Sequence, residues 1–101
     1  SGRPRDLERH LDRLERSLAA LSIRPPMTRA ALRGVLAETL RRNRLRDALL
    51  YVQVTRGSAP RNHIYPKHAR PTLVVTVRKP SFPSASEREH GVGVITLPDL
   101  R

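Results

Sequence analysis

Five leucines, Leu7, Leu11, Leu14, Leu18 and Leu21, recur at spacings of 4, 3, 4 and 3. That rhythm puts them on one stripe of an amphipathic helix. Asp6 stands where an N-cap is expected, and Pro25-Pro26 is expected to stop the helix. Thr28 offers a second N-cap before Leu32, Val35, Leu36 and Leu40, which mark another apolar helical face ending in the polar Arg41-Arg42-Asn43-Arg44. Two packed helices follow. From Ala48 the period changes. Residues 49–55, Leu-Leu-Tyr-Val-Gln-Val-Thr, are rich in β-branched and aromatic types and apolar on both sides, which predicts a central strand. Gly57 ends it, a polar loop runs over 58–70, and Pro71 introduces a second strand at 72–77. So long a connection exceeds what chain reversal needs and points to a working loop.

Residues 79–91 contain two prolines and three serines with almost no apolar periodicity, the composition of a linker. A third strand is expected at 92–97, just before the sequence reaches Arg101. No internal repeat is present. The expected fold class is α+β, two helices packed on a mainly antiparallel sheet. Residues 1–78 form its small domain, 79–91 the linker, and 92–101 the first strand of a second domain.

Composition narrows the functional classes. The 101 residues carry 20 Lys+Arg against 9 Asp+Glu, a formal charge of +11. The excess is spread evenly, with 12 basic and 6 acidic residues in 1–50 and 8 and 3 in 51–101, so there is no basic tail. Such charge suits nucleic acid but by itself supports only non-specific attraction to polyanions. Tyr51, Tyr65 and Phe82 are too scattered along the chain for a base-stacking platform. With no cysteine, disulfides and thiolate chemistry are excluded and a reducing cytoplasm is permitted. No apolar run approaches the ~18 residues of a membrane span. The N-terminus has no leader-like apolar region and does not begin with Met, so the chain is expected to be a piece of a longer protein.

Three groups of polar residues invite chemistry. Arg13 has Arg9, His10, Arg16 and Ser17 as its helical neighbours, none acidic, whereas Arg16 has Asp12 four residues before it. On a flank of the leucine stripe with His10 and Ser17, Arg13 could hold an anion such as phosphate. It could equally lie over the core edge or meet a distant carboxylate, and local sequence alone favours that plainer reading. Arg61 and His63 stand two residues apart after Pro60 and could converge on one carboxylate, against the plain reading of a solvated basic loop. The histidines His10, His63, His68 and His90 show no metal-binding spacing. Ser58, His63 and Asp99 could be written as a triad, but no nucleophile-elbow motif supports it. Glycine-rich phosphate loops are absent too. Lys67 and Lys79, the two lysines, lie in polar, Pro-flanked stretches where nothing would depress their pKa.

The segments His10-Leu11-Asp12-Arg13-Leu14, then 51–66 (Tyr-Val-Gln-Val-Thr-Arg-Gly-Ser-Ala-Pro-Arg-Asn-His-Ile-Tyr-Pro), then 91–101 resemble, in that order, the class IV pyridoxal-phosphate aminotransferases. The middle block is most similar to the D-amino acid enzymes of that family. The resemblance implies the small domain of a fold type IV enzyme. It also implies pyridoxal 5'-phosphate as cofactor, with Arg13 on the cofactor phosphate. Arg61 and His63 are implied as a trap for the substrate carboxylate, reaching into the active site of the partner subunit of a homodimer. Substrates would be a D-amino acid and a 2-oxo acid.

Relative to the family pattern, the strands before the first helix and the Schiff-base lysine beyond an Asp-Ile-Arg-like segment are missing; neither Lys67 nor Lys79 matches that lysine. The resemblance thus implies a fragment truncated at both ends, inactive alone, from a cytoplasmic enzyme. The alternatives are a branched-chain or amine transaminase of the same class, or a basic α+β module that binds nucleic acid.

Overall fold

The leucine stripe folds into α1, Leu7–Ala20, and the second apolar face into α2, Arg29–Asn43. The computed structural model describes residues 3–66 and 68–99; Ser1, Gly2, Lys67, Leu100 and Arg101 lie outside the described residues. Thr28 caps α2 as expected, its Oγ1 accepting from the Ala31 N–H at 3.2 Å. Asp6 occupies the N-cap position of α1 but makes no side-chain cap bond. Its backbone sits in the left-handed region at φ 50°, away from the extended geometry that aims a capping carboxylate at the first turn. Nor does α1 run on to the prolines. Ser22 turns left-handed at φ 52°, and the Ile23 N–H reaches back to the Leu18 carbonyl at 2.9 Å while Ser22 N–H bonds Ala19 O at 3.1 Å. This is the paired-bond stop usually made with glycine.

Strands β1, Leu49–Thr55, and β2, Thr72–Arg78, pair antiparallel in a register running from Leu49↔Arg78 to Thr55↔Thr72. Pairing fixes which side chains share a face. Leu50 and Val52, with Leu73 and Val75, turn inward onto a core of Leu11, Leu32 and Leu36, each no more than 7% exposed. Both helices therefore cover one face of the sheet. Leu49, Tyr51 and Val74 lie exposed on the other. The expectation of a central strand is thereby corrected: among the described residues β1 pairs with β2 alone. Its two-sided apolarity belongs to one packed face and one open face.

Two further expectations change. Within the stretch expected to be a bare linker, Ala85–His90 forms a short helix, α3. Ser84 and Glu87 make a reciprocal capping box, with Ser84 N–H to Glu87 Oε2 at 2.7 Å and Glu87 N–H to Ser84 Oγ at 3.1 Å. Residues 92–97 form no strand. A strand needs a neighbour to satisfy its backbone N–H and C=O groups, and no described strand lies against this one. Residues 81–99 are exposed throughout. The radius of gyration is 18.1 Å, against about 13 Å for a compact domain of this length.

The helices are joined by charge as well as by leucine. Glu8, Asp12 and Glu15 line one side of α1, and Arg29 meets all three, at 3.0, 2.7 and 3.2 Å. Arg33 also pairs with Glu8. Asp12 is thus taken by Arg29 rather than by Arg16, its helical neighbour. Hydrogen bonding to Arg33, with the charge of Arg29 behind it, holds the Glu8 carboxyl below its usual range. On α2, Arg41 and Arg42 together lower that of Glu38 to about 2. Half-exposed pairs of this kind contribute modestly and weaken with salt.

Truncating Leu36 to alanine should cost about 2–4 kcal/mol, as emptying a buried leucine site does, read as a lower urea midpoint. Acid should also loosen the fold. A carboxylate whose pKa is depressed by folding contributes stability above its ordinary pKa and loses it as pH falls through the folded value. For Glu38 that window runs from 4.5 down to about 2. Thermal midpoints measured across it should fall, and Glu38→Gln should flatten that part of the slope.

Candidate functional site

The candidate residues sit on two elements of the packed body. Arg13 projects from α1 and is exposed. Its Nη2 donates a long bond of 3.4 Å to Nδ1 of His10, one helical turn back. Among the described residues no carboxylate pairs with it, since the acids of α1 face Arg29 and Arg33. Arg13 is therefore a cation with its charge left over. That is what a phosphate handle requires.

Arg61 and His63 lie on the connection between β1 and β2, both exposed. The register brings Thr55 opposite Thr72, so this long loop leaves and re-enters the body at one place. Gly57 makes that closure possible. Its φ of +114° is a conformation that L side chains rarely adopt, and a Cβ there would stand 2.1 Å from the Arg70 carbonyl oxygen. The connection is thus an Ω-type loop, pinched at its neck. Near the tip, the Asn62 side chain accepts from the Ile64 N–H at 3.3 Å, a local turn between the two candidate residues and Tyr65.

Arg61 and His63 make no described hydrogen bond or ion pair, so their donors face solvent from one exposed turn. An arginine fork with an imidazole beside it can hold a carboxylate. No described contact joins this loop to Arg13. Neither is a hydrogen bond described between Ser58 and His63, the first two members of the paper triad. Lys79, the one lysine among the described residues, is exposed. Among the described residues no helix is long and apolar enough to cross a membrane.

Two arginines that matter to this geometry escaped the sequence reading. Arg29 was foreshadowed by the 4 and 3 spacing of Glu8, Asp12 and Glu15, an acidic stripe beside the leucines that calls for a cation from the next helix. Arg56 had no such signal. Its Nη1 donates to the Ser22 carbonyl at 3.0 Å and its Nη2 to that of Leu21, while its guanidinium lies 4.1 Å from the centroid of the Tyr65 ring.

Comparison with known proteins gives a family. The model for amino-transferase class IV matches residues 1–101. The chain is 37% identical over 98 residues to a D-alanine aminotransferase of Bacillus licheniformis, covering 94% of this chain and 33% of that protein. It is 29% identical over 92 residues to a D-alanine aminotransferase of Staphylococcus haemolyticus, covering 91% and 33%. A Methanocaldococcus jannaschii protein, provisionally named a branched-chain-amino-acid aminotransferase, is 47% identical over 51 residues, which is 50% of this chain and 18% of that one. The chain spans about one third of the length of the D-alanine aminotransferases it matches.

Replacing Gly57 with alanine should force the neck of the loop open. A left-handed strain combined with contact on a backbone carbonyl costs about 1–3 kcal/mol. Urea unfolding should show that loss, and trypsin should cut after Arg61 faster than in the parent chain. An unchanged midpoint and cutting rate would show that the neck has room for a side chain.

Proposed function

The chain belongs to the class IV aminotransferase family, and from that premise we propose that it is the small-domain part of a pyridoxal-phosphate enzyme that moves an amino group between a D-amino acid and a 2-oxo acid. The observation that carries this reading is the pinched loop, which presents Arg61 and His63 to solvent with none of their donors occupied among the described residues. Their roles are to bind and orient. The Arg61 guanidinium and the His63 ring would receive the substrate carboxylate, and fixing that group decides which face of Cα meets the catalytic base. In this reading the loop serves the active site of a partner subunit, so a homodimer is the working form.

Arg13 would hold the phosphate of pyridoxal phosphate. Its unneutralised charge suits that role, and the neighbouring His10 helps to keep its side chain along the helix. When bound, the cofactor supplies the electron sink that makes the Cα proton removable. The lysine that moves that proton lies, on this proposal, in the part of the enzyme beyond this chain, so these residues alone do not transaminate.

One observation supports a second reading within the same class. The archaeal similarity over half the chain leaves a branched-chain substrate in play. A carboxylate trap serves either substrate, since both are amino acids; their handedness and side chain separate them.

In the complete enzyme, Arg61→Ala should raise KM for D-alanine by about tenfold or more, the scale of a lost charge-assisted bond, and leave cofactor absorbance intact. Arg13→Gln should do the reverse, weakening cofactor retention on dialysis. Loss of cofactor in the Arg61 variant would remove its assigned role. A preference for L-leucine over D-alanine would select the second reading.

A further inference from the structure

Helix α1 has no basic residue in its last turn, although its final carbonyls carry the negative end of the helix dipole. The cation comes instead from the far end of β1. Arg56 gives one nitrogen of its fork to each of two successive carbonyls, Leu21 and Ser22, at the left-handed turn where α1 stops. Those two bonds fix the plane of the guanidinium. On it lies the ring of Tyr65, 4.1 Å from the central carbon, within the range of a cation–π contact. Tyr65 is two residues past His63 and four past Arg61.

The loop has little else to hold it. Among the described residues, 58–66 make a single other hydrogen bond, the local turn at Asn62. Gly57 pinches the neck, but a pinched neck leaves the tip free to swing. The Arg56–Tyr65 stack ties the tip to the end of the helix whose earlier turn carries Arg13.

We propose that Arg56 is a positioning residue for the loop: anchored on the Leu21 and Ser22 carbonyls, it docks Tyr65 and so sets the orientation in which Arg61 and His63 meet the substrate carboxylate. This rests on the reading of Arg61 and His63 as the carboxylate binders. Lysine cannot replace it fully, because an ammonium has neither the fork nor the flat face that the two carbonyls and the ring use together.

The test uses the complete enzyme with D-alanine as substrate. Arg56→Met and Tyr65→Leu should each raise KM by about tenfold, within the reach of a partly desolvated cation–π contact. The turnover number and bound-cofactor absorbance should stay within about twofold, since orientation of the carboxylate contributes to ground state and transition state alike. Tyr65→Phe, which retains the ring, should return KM towards the parent value, and Arg56→Lys should fall between. Amide hydrogen exchange across 58–66 should quicken in Arg56→Met and Tyr65→Leu but not in Tyr65→Phe. An unchanged KM in both disruptive variants, or exchange that does not respond, overturns the proposal. Arg61→Ala is run beside them: if it leaves KM unchanged, the carboxylate reading is what fails, and exchange alone then decides whether Arg56 holds the loop.

Discussion

Antiparallel pairing that ends at Thr55 opposite Thr72 is the constraint from which the rest of the site descends. Because the two strands finish side by side, everything between them must leave and return through one gap. The gap is narrow enough that Gly57 lies directly against the Arg70 backbone. A loop so closed pays little further entropy for its length, and it can carry an arginine and a histidine well clear of the core. The same pairing turns Val52 and Val75 inward together, placing the sheet under Leu11, Leu32 and Leu36. The helices lie where they do because of that face.

Arginine is used in three distinct ways across this body. Arg29 and Arg33 bind the two helices through the acids of α1, and Arg41 and Arg42 are held by Glu38 within α2. Arg56 is spent on main-chain carbonyls and an aromatic ring. Arg13 and Arg61, by contrast, keep their forks clear of carboxylates among the described residues. A high net charge therefore says little about any one arginine. A scaffold cation is recognised by the partner the fold supplies; on the proposed reading Arg13 and Arg61 would take theirs from a ligand.

Much of this organisation was legible in the sequence. The leucine spacing set both helices, β-branched runs set both strands, and the length of the 58–70 connection marked it as more than a turn. What failed did so for physical reasons. The strand expected at 92–97 had the right side chains but no neighbour, and strand structure is a property of pairs. The apolarity of β1 on both sides predicts burial on both sides, whereas only Leu50 and Val52 pack against the core cluster. Position 85–90 looked like linker by composition although Ser84 and Glu87 already spelled a capping box. The candidate residues Arg13, Arg61 and His63 rest on a motif, and periodicity alone leaves them as solvated charges. Arg56 was invisible because its partners, two carbonyls and a ring, leave no mark on local spacing.

The exposed stretch 92–97 also bears on how the chain behaves in solution. Val92, Val94, Ile95 and Leu97 are each at least 70% exposed, in a short run without charge or proline. Such a segment is a template for pairing with its own copies. Set against it is the net charge of +11 on these 101 residues, a mean repulsion that salt screens. The exposed cations thus oppose self-pairing of these residues, an opposition that weakens as ionic strength rises.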